Sequence, residues 1–319
     1  MVSDARVLFG AFSEMILGRK KHRAMSAAGD RRRKVPTFTA FFTCWVPGVL
    51  AFLVPLLSPL LLQAHADILE RIAAVSKQIQ QQPRNARLYL KRGELHRLHR
   101  EWDAALADFE RAAELDPDLM TVGFARGRMF YEAGRLQAAK DDLDEFLAAR
   151  PAHREGLLTR ARVLAQLGKG AEAAQDYTQA IATLARPTPE YYLERAKALA
   201  SEGDPYLDAA LKGLDEGIRT LGPLVTLQLY AMDLELQRWQ YDQALARLET
   251  IARWIPAERR LFRRGEILML AGRSAEARQA FTEALAHIDS LHSRNQSTAS
   301  ALELKARLSA LLEQIRTGE

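Results

Sequence analysis

Between residues 86 and 289 the apolar positions recur at helical spacing in short blocks, and the blocks themselves repeat. Gly93, Trp102, Ala105, Phe109, Ala112 and Pro117 return 34 residues later as Gly127, Leu136, Ala139, Leu143, Phe146 and Pro151. A second step gives Ala161, Gly170, Ala173, Tyr177 and Ala180. Two extra residues precede Pro187, and Tyr192, Ala196 and Gly203 resume the pattern. A short insertion at 204–207 is followed by Ala210 and Leu214, then by Ala244, Leu248 and Pro256. Gly265, Gly272, Ala277, Phe281 and Ala284 complete the series. Six units result, at about 86–119, 120–153, 154–188, 189–224, 225–257 and 258–289.

Each unit predicts two helices broken by a Gly or polar residue and closed by Pro. Gly93, Gly127, Ala161, Ala196 and Gly265 are small where two helices cross closely, and Ala105, Ala139, Ala173, Ala210, Ala244 and Ala277 answer them from the second helix. Gly134, Gly168, Gly203 and Gly272 fall where the chain leaves the first helix, a place that suits a left-handed backbone. Unit five departs most, with Met232 in the small slot and Trp239 in the glycine slot. Residues 67–85 form a capping half unit, and a helix at 297–315 within the closing segment 290–319 seals the other end.

The order Tyr89, Gly93, His96, Ala105, Phe109, Ala112, Pro117 resembles the tetratricopeptide repeat, over about 86–289. That resemblance implies an all-α fold, a right-handed superhelical solenoid of helix-turn-helix repeats with terminal capping helices. It also implies a non-catalytic function: ligands of such proteins lie across the first helices. The family's clamp for a peptide carboxylate uses Lys and Asn on the first repeat. Leu90 and Glu94 stand there, so a clamp of that type is not expected.

Ahead of the repeats the pattern changes. A basic cluster, "DRRRK" at 30–34, precedes the apolar run 41–63 and "AHA" at 64–66. This reads as a cleavable export signal ending at Ala66, with Met25 as an alternative start. The competing reading is an uncleaved membrane anchor, interrupted by Pro47, Pro55 and Pro59. Under both, residues 67–319 lie outside the cytoplasmic membrane, in the periplasm if the cell is bacterial.

The formal charge of +5 belongs to this leader: residues 1–66 carry nine Lys/Arg and three Asp/Glu, which leaves 36 basic and 37 acidic residues beyond Ala66, a net of −1. The repeats therefore offer no footprint for nucleic acid. The single cysteine, Cys44, lies in the apolar run, so thiol chemistry is excluded from everything after it.

Three motifs carry candidate chemistry. In "ELHRLHREWD" (94–103), His96 and His99 share a helical face with acids nearby, as metal ligands do. His96, however, occupies the large slot filled by Phe130, Leu164, Leu199 and Leu268, which makes it a packing residue. "GKGAEAA" (168–174) lacks the second glycine spacing, the strand and the Ser/Thr of a phosphate loop. "HIDSLH" (287–292) reads as a solvated helix end. No metal, cofactor or catalytic set is expected. A ladder of arginines (Arg92, Arg126, Arg160, Arg195, Arg264) precedes the small residues; it is either an anion track or a set of stems whose heads meet acids such as Glu110, Asp142 and Asp176.

The binding expectation rests on two rows of the first helices. Three before the small residue stand Leu90, Phe124, Leu158, Leu193, Leu229 and Phe262, an apolar row. One after it stand Glu94, Arg128, Arg162, Lys197, Asp233 and Glu266, a charged row that is basic in the middle. Together they would hold a protein or peptide with an acidic segment. The alternative is a structural solenoid that assembles into homo-oligomers.

Overall fold

The computed structural model describes residues 58–291 and 298–317. Most of the leader, including the basic cluster and nearly all of the apolar run, lies outside these residues.

Among the described residues fourteen α-helices follow one another: α1 (Ser58–Gln81), α2 (Ala86–Leu98), α3 (Trp102–Leu115), α4 (Thr121–Glu132), α5 (Leu136–Ala149), α6 (Arg154–Gln166), α7 (Gly170–Ala182), α8 (Pro189–Ser201), α9 (Leu207–Leu221), α10 (Val225–Gln237), α11 (Tyr241–Thr250), α12 (Ala257–Leu270), α13 (Ser274–Ser290) and α14 (Ala299–Thr317). From α2 to α13 they pack in antiparallel pairs. Each second helix packs on the first helix of the next pair, and α2, α4 and α6 also touch in succession. The first helices α2, α4 and α6 thus lie side by side, and α8 touches α10. The insertion at 204–207 is a short 3₁₀ turn, Asp204–Tyr206, ahead of α9.

The small residues sit where close crossings require them. A Cβ on Gly93 would lie 2.6 Å from a Phe109 ring carbon, and one on Gly265 would lie 2.2 Å from Phe281. Ala105, Ala139, Ala173, Ala210, Ala244 and Ala277 are all fully buried. In the deviant fifth pair Met232 fills the crossing itself and is 1% exposed.

The turn glycines have the expected left-handed backbone, with φ of 75° at Gly134, 74° at Gly168, 96° at Gly203 and 75° at Gly272. The same slot is taken by Arg100 at 62° and by Trp239 at 63°, so the turn geometry persists where its preferred residue does not.

At the ends, α1 docks on α2 through Val75, Ile79 and Leu95, and α14 packs Leu308 against Phe262, Leu268 and Ile288. Helix α1 begins at Ser58, so the expected boundary at Ala66 falls inside a helix. Among the described residues no helix is long and apolar enough to cross a membrane.

Candidate functional site

The arginine ladder resolves into internal clips. Arg92 grips Asp108 with two bonds (2.8 and 2.7 Å), Arg126 grips Asp142 (2.6 and 2.6 Å), and Arg160 grips Asp176 (2.7 and 2.7 Å). The three aspartates are buried on the second helix of the same pair. Arg195 instead reaches Glu216 and the Gly213 carbonyl, and Arg264 reaches Glu249. Asp108 rather than Glu110 receives Arg92, because the partner lies 16 residues on, on the inward face of α3. A forked guanidinium on a carboxylate fixes the register of two helices, and it leaves no track for an anion.

The first-helix face departs from the expected pair of stripes. Leu158 (1% exposed) and Phe262 (6%) belong to the core. Leu90, Phe124, Leu193 and Leu229 are half-buried. Phe124 packs against the Phe146 ring at 5.4 Å and His153 at 5.0 Å.

The charged row is laced together across successive pairs. Glu94 accepts from Arg128 (2.6 Å) and from Arg97 (2.9 Å), and Arg97 also holds Glu132 (2.6 Å). Arg162 meets Glu194 at 3.2 Å. Arg263 bridges Asp233 (3.0 Å) and Glu266 (3.1 Å), and Arg307 of α14 approaches Glu266 at 3.5 Å. The basic middle is therefore largely neutralised. Lys197 alone of the row has no ion pair among the described residues; it is exposed, and its ammonium sits 5.9 Å from the centre of the Tyr230 ring.

Burial raises the pKa of three groups, Tyr177, Tyr230 and Asp233, and so disfavours their ionised forms. Desolvation, followed by the Glu194 carboxylate, pushes the Tyr177 hydroxyl well above the ordinary phenol range. Desolvation and Asp233 push Tyr230 up to about 12. Asp233 itself rises to about 6, because burial outweighs the attraction of Arg263. Glu194 and Tyr230 lie off the two rows, and only the helix stacking brings them to the face; Tyr177, a repeat position in the sequence, is buried in the core.

The other motifs are structural. His96 is in its packing slot, with Nδ1 2.5 Å from Glu101, which also holds His99 at 2.9 Å; the two histidines draw the Glu101 carboxyl below its usual range. Among the described residues no three His, Cys, Asp or Glu side chains gather as metal ligands. At "GKGAEAA" the N-terminus of α7 is occupied by the chain's own carboxylate: Glu202 accepts from the backbone N–H of Gly170 and of Ala171. A Cβ on Gly170 would fall 1.9 Å from the Ala198 carbonyl oxygen, so that glycine is required by packing. His287 lies 3.3 Å from Glu258, and His292 is outside the described residues.

Two family models match the chain. A tetratricopeptide repeat model covers residues 64–119 and 124–191, and a tetratricopeptide repeat-like domain model covers 206–308. No curated protein matches the sequence.

Among solved structures, a tetratricopeptide repeat protein from Parabacteroides merdae is 18% identical, with 79% of this chain and 94% of that one covered at a TM-score of 0.47. YrrB, described as a TPR protein with an unusual peptide-binding site, is 20% identical over 66% of this chain and 98% of its own, at 0.48. The Naa15/Naa10 complex bound to HypK-THB is 16% identical over 75% and 36%, at 0.51. Proteins of this repeat type are typically non-catalytic and bind peptides or other proteins, and no enzyme family matches. With the repeat models spanning α1 to α14 and the helices paired as described, the chain is a tetratricopeptide repeat protein.

Proposed function

We propose that this protein is a non-catalytic scaffold of six repeats that holds a segment of a partner protein along its first-helix face. The observation that carries the reading is Lys197. Every other member of the charged row has an internal partner, and this exposed ammonium has none among the described residues. A partner carboxylate could pair with the Lys197 ammonium, and Leu193 and Tyr230 supply apolar surface beside it. One exposed ion pair contributes only ~0.2–1 kcal/mol, so the charge serves orientation and encounter rate more than affinity. The neutralised pairs on either side contribute hydrogen-bonding edges without a net field.

We further propose that the basic cluster and apolar run place the repeats outside the cytoplasmic membrane. The mature N-terminus would then be Asp67, which N-terminal sequencing of the envelope fraction checks; a chain found wholly in the cytoplasm refutes it.

For the face itself, Arg128 and Arg162 are poor probes because charge reversal would break pairs that join neighbouring repeats. Lys197→Glu is the better test, with Lys212→Glu on α9 as the control. Partners recovered from envelope extracts should be lost or salt-shifted with Lys197→Glu only. Equal yield from both variants refutes the placement. Light scattering that finds only dimers or larger species would favour the self-assembling solenoid instead.

A further inference from the structure

Asp233 stands close to the ammonium on which the proposed function rests. Tyr230 and Asp233 are three residues apart on α10, so they share one face of that helix. The Lys197 ammonium of α8 lies 5.9 Å from the centre of the Tyr230 ring. The ring thus stands between a cation on one helix and a carboxyl on the next. Burial and then the Asp233 charge push the Tyr230 hydroxyl up to about 12, so that charge is felt at the ring.

The groups around Asp233 leave its charge only partly matched. Its side chain is 21% exposed, and Arg263 of α12 is the one cation bonded to it among the described residues. Arg263 donates to Asp233 at 3.0 Å and to Glu266 at 3.1 Å, and Arg307 of α14 approaches Glu266 at 3.5 Å. Two carboxylates and two guanidiniums cancel when Asp233 is ionised; its protonation leaves one positive charge in excess. The neighbouring acids are engaged elsewhere. On α8, Glu194 is held by Arg162 at 3.2 Å and by the Tyr177 hydroxyl. On α10 itself, Glu235 faces α11, where Arg247 donates to it at 2.6 Å and also meets Asp215 of α9 at 2.9 Å.

A carboxyl so placed holds its proton. Burial outweighs the shared Arg263, and the pKa rises to about 6. Above that pH, a partner carboxylate arriving at Lys197 meets a like charge roughly 10 Å away. At an effective dielectric of roughly 40, between protein and water, that repulsion is worth a factor of about four in affinity. Below that pH the repulsion is gone. The linkage is reciprocal, since a ligand that prefers the protonated form also holds the proton on.

We propose that Asp233 is a proton-linked gate on the first-helix face: an acidic segment of a partner protein is held at Lys197 more tightly when the Asp233 carboxyl is protonated. This rests on the reading of Lys197 as the partner-binding ammonium, and it adds the condition under which that ammonium captures and releases.

The test uses the full chain and an acetylated Leu-Asp-Asp-Leu-Asp-Asp amide, titrated by calorimetry at pH 5.5 and pH 7.5, where aspartyl peptides stay ionised. Wild type should bind about threefold tighter at pH 5.5, the factor of four scaled by the fraction of Asp233 that is protonated there. Asp233→Asn should bind at both pH values at least as tightly as wild type does at pH 5.5; histidines elsewhere cancel in that comparison. Glu266→Gln gives Asp233 the whole of Arg263 and should shrink the gain between the two pH values. Lys197→Glu should lose the peptide at both. If Lys197→Glu binds as wild type does, or if wild type binds at neither pH, the first-helix reading fails and the gate with it. If Lys197→Glu loses binding but wild type gains nothing at pH 5.5, the reading stands and the gate is overturned. The gate is likewise overturned if Asp233→Asn keeps the wild-type gain, or if Glu266→Gln enlarges it.

Discussion

Asp233 offers the sharpest test of the electrostatics of the first-helix face. Its carboxyl is four-fifths buried from solvent at the junction of the fifth and sixth helix pairs, with Arg263 at 3.0 Å. Arg263 divides its attraction between Asp233 and Glu266, so it offsets only part of the desolvation cost, and the ionisation rises from 3.8 to about 6. A rise means that the folded state binds the proton more tightly than the unfolded chain does. The associated stability is fully present below about pH 4 and is lost as pH rises through about 6. About two pKa units at 1.36 kcal/mol each give ~3 kcal/mol between those limits.

Asp233→Asn fixes the side chain in a neutral, nearly isosteric form. It should match wild type at pH 4 and exceed it by ~2–3 kcal/mol at pH 7.5, in urea unfolding followed by circular dichroism. Glu101, Glu276 and Glu313 are shifted the opposite way, but they cancel in the difference between the two proteins. A difference that stays flat from pH 4 to 7.5, or one in which the variant is less stable at neutral pH, would show that the Arg263 pair outweighs burial.

Two further substitutions test the backbone. Gly265→Ala would put a methyl 2.2–2.7 Å from three carbons of the fully buried Phe281 ring, and should cost ~1–3 kcal/mol despite alanine's better helix propensity. Gly123→Ala in α4 meets nothing closer than 3.9 Å and should be neutral or stabilising by up to ~1 kcal/mol; similar melting shifts for the two would refute the crossing geometry. Arg100→Gly removes a side chain from a left-handed turn (φ 62°) and should raise stability by ~1 kcal/mol, which chemical denaturation resolves; a clear loss would mean that Arg100 makes a contact that offsets the strain.

What the sequence makes legible follows from how far each interaction reaches along it. Helix crossings and turns repeat within one unit, so Gly93, Ala105 and Gly134 announce themselves by period. The clip from Arg126 to Asp142 is legible for the same reason, since both ends carry the 34-residue repeat. The lacing is different. It joins residues 30–41 apart whose offset changes at every junction, from Arg128–Glu94 to Arg162–Glu194 to Arg263–Asp233 to Arg307–Glu266. Side chains of that length choose among acids one helical turn apart, and the choice depends on how neighbouring pairs rotate. Register puts Leu158 and Phe262 on the face, yet both are buried in core clusters, Leu158 with Phe146 and Tyr177 and Phe262 with Phe281 and Leu308. A row defined by spacing predicts which face a residue shares, but not how deep it sits.

The candidate binding residues gather around one departure from the repeat. Helix α10 carries Met232 where the other pairs have a small residue. It contributes Tyr230 beneath Lys197 at one junction and leads into Trp239 at its end. In a solenoid each pair contacts its neighbours, so stability is close to a sum of unit and junction contributions. One unit can therefore lose its small residue and its turn glycine while the clips and lacing elsewhere hold the register. A globular core would spread the same substitutions over many contacts. Here their cost stays local, and Arg238–Asp208 and Asp242–Arg273 tie the altered turn to repeats that keep the pattern. Ligand contacts are thus best sought where α10 sets Tyr230 beside Lys197, the one member of the charged row that lacks an ion pair among the described residues.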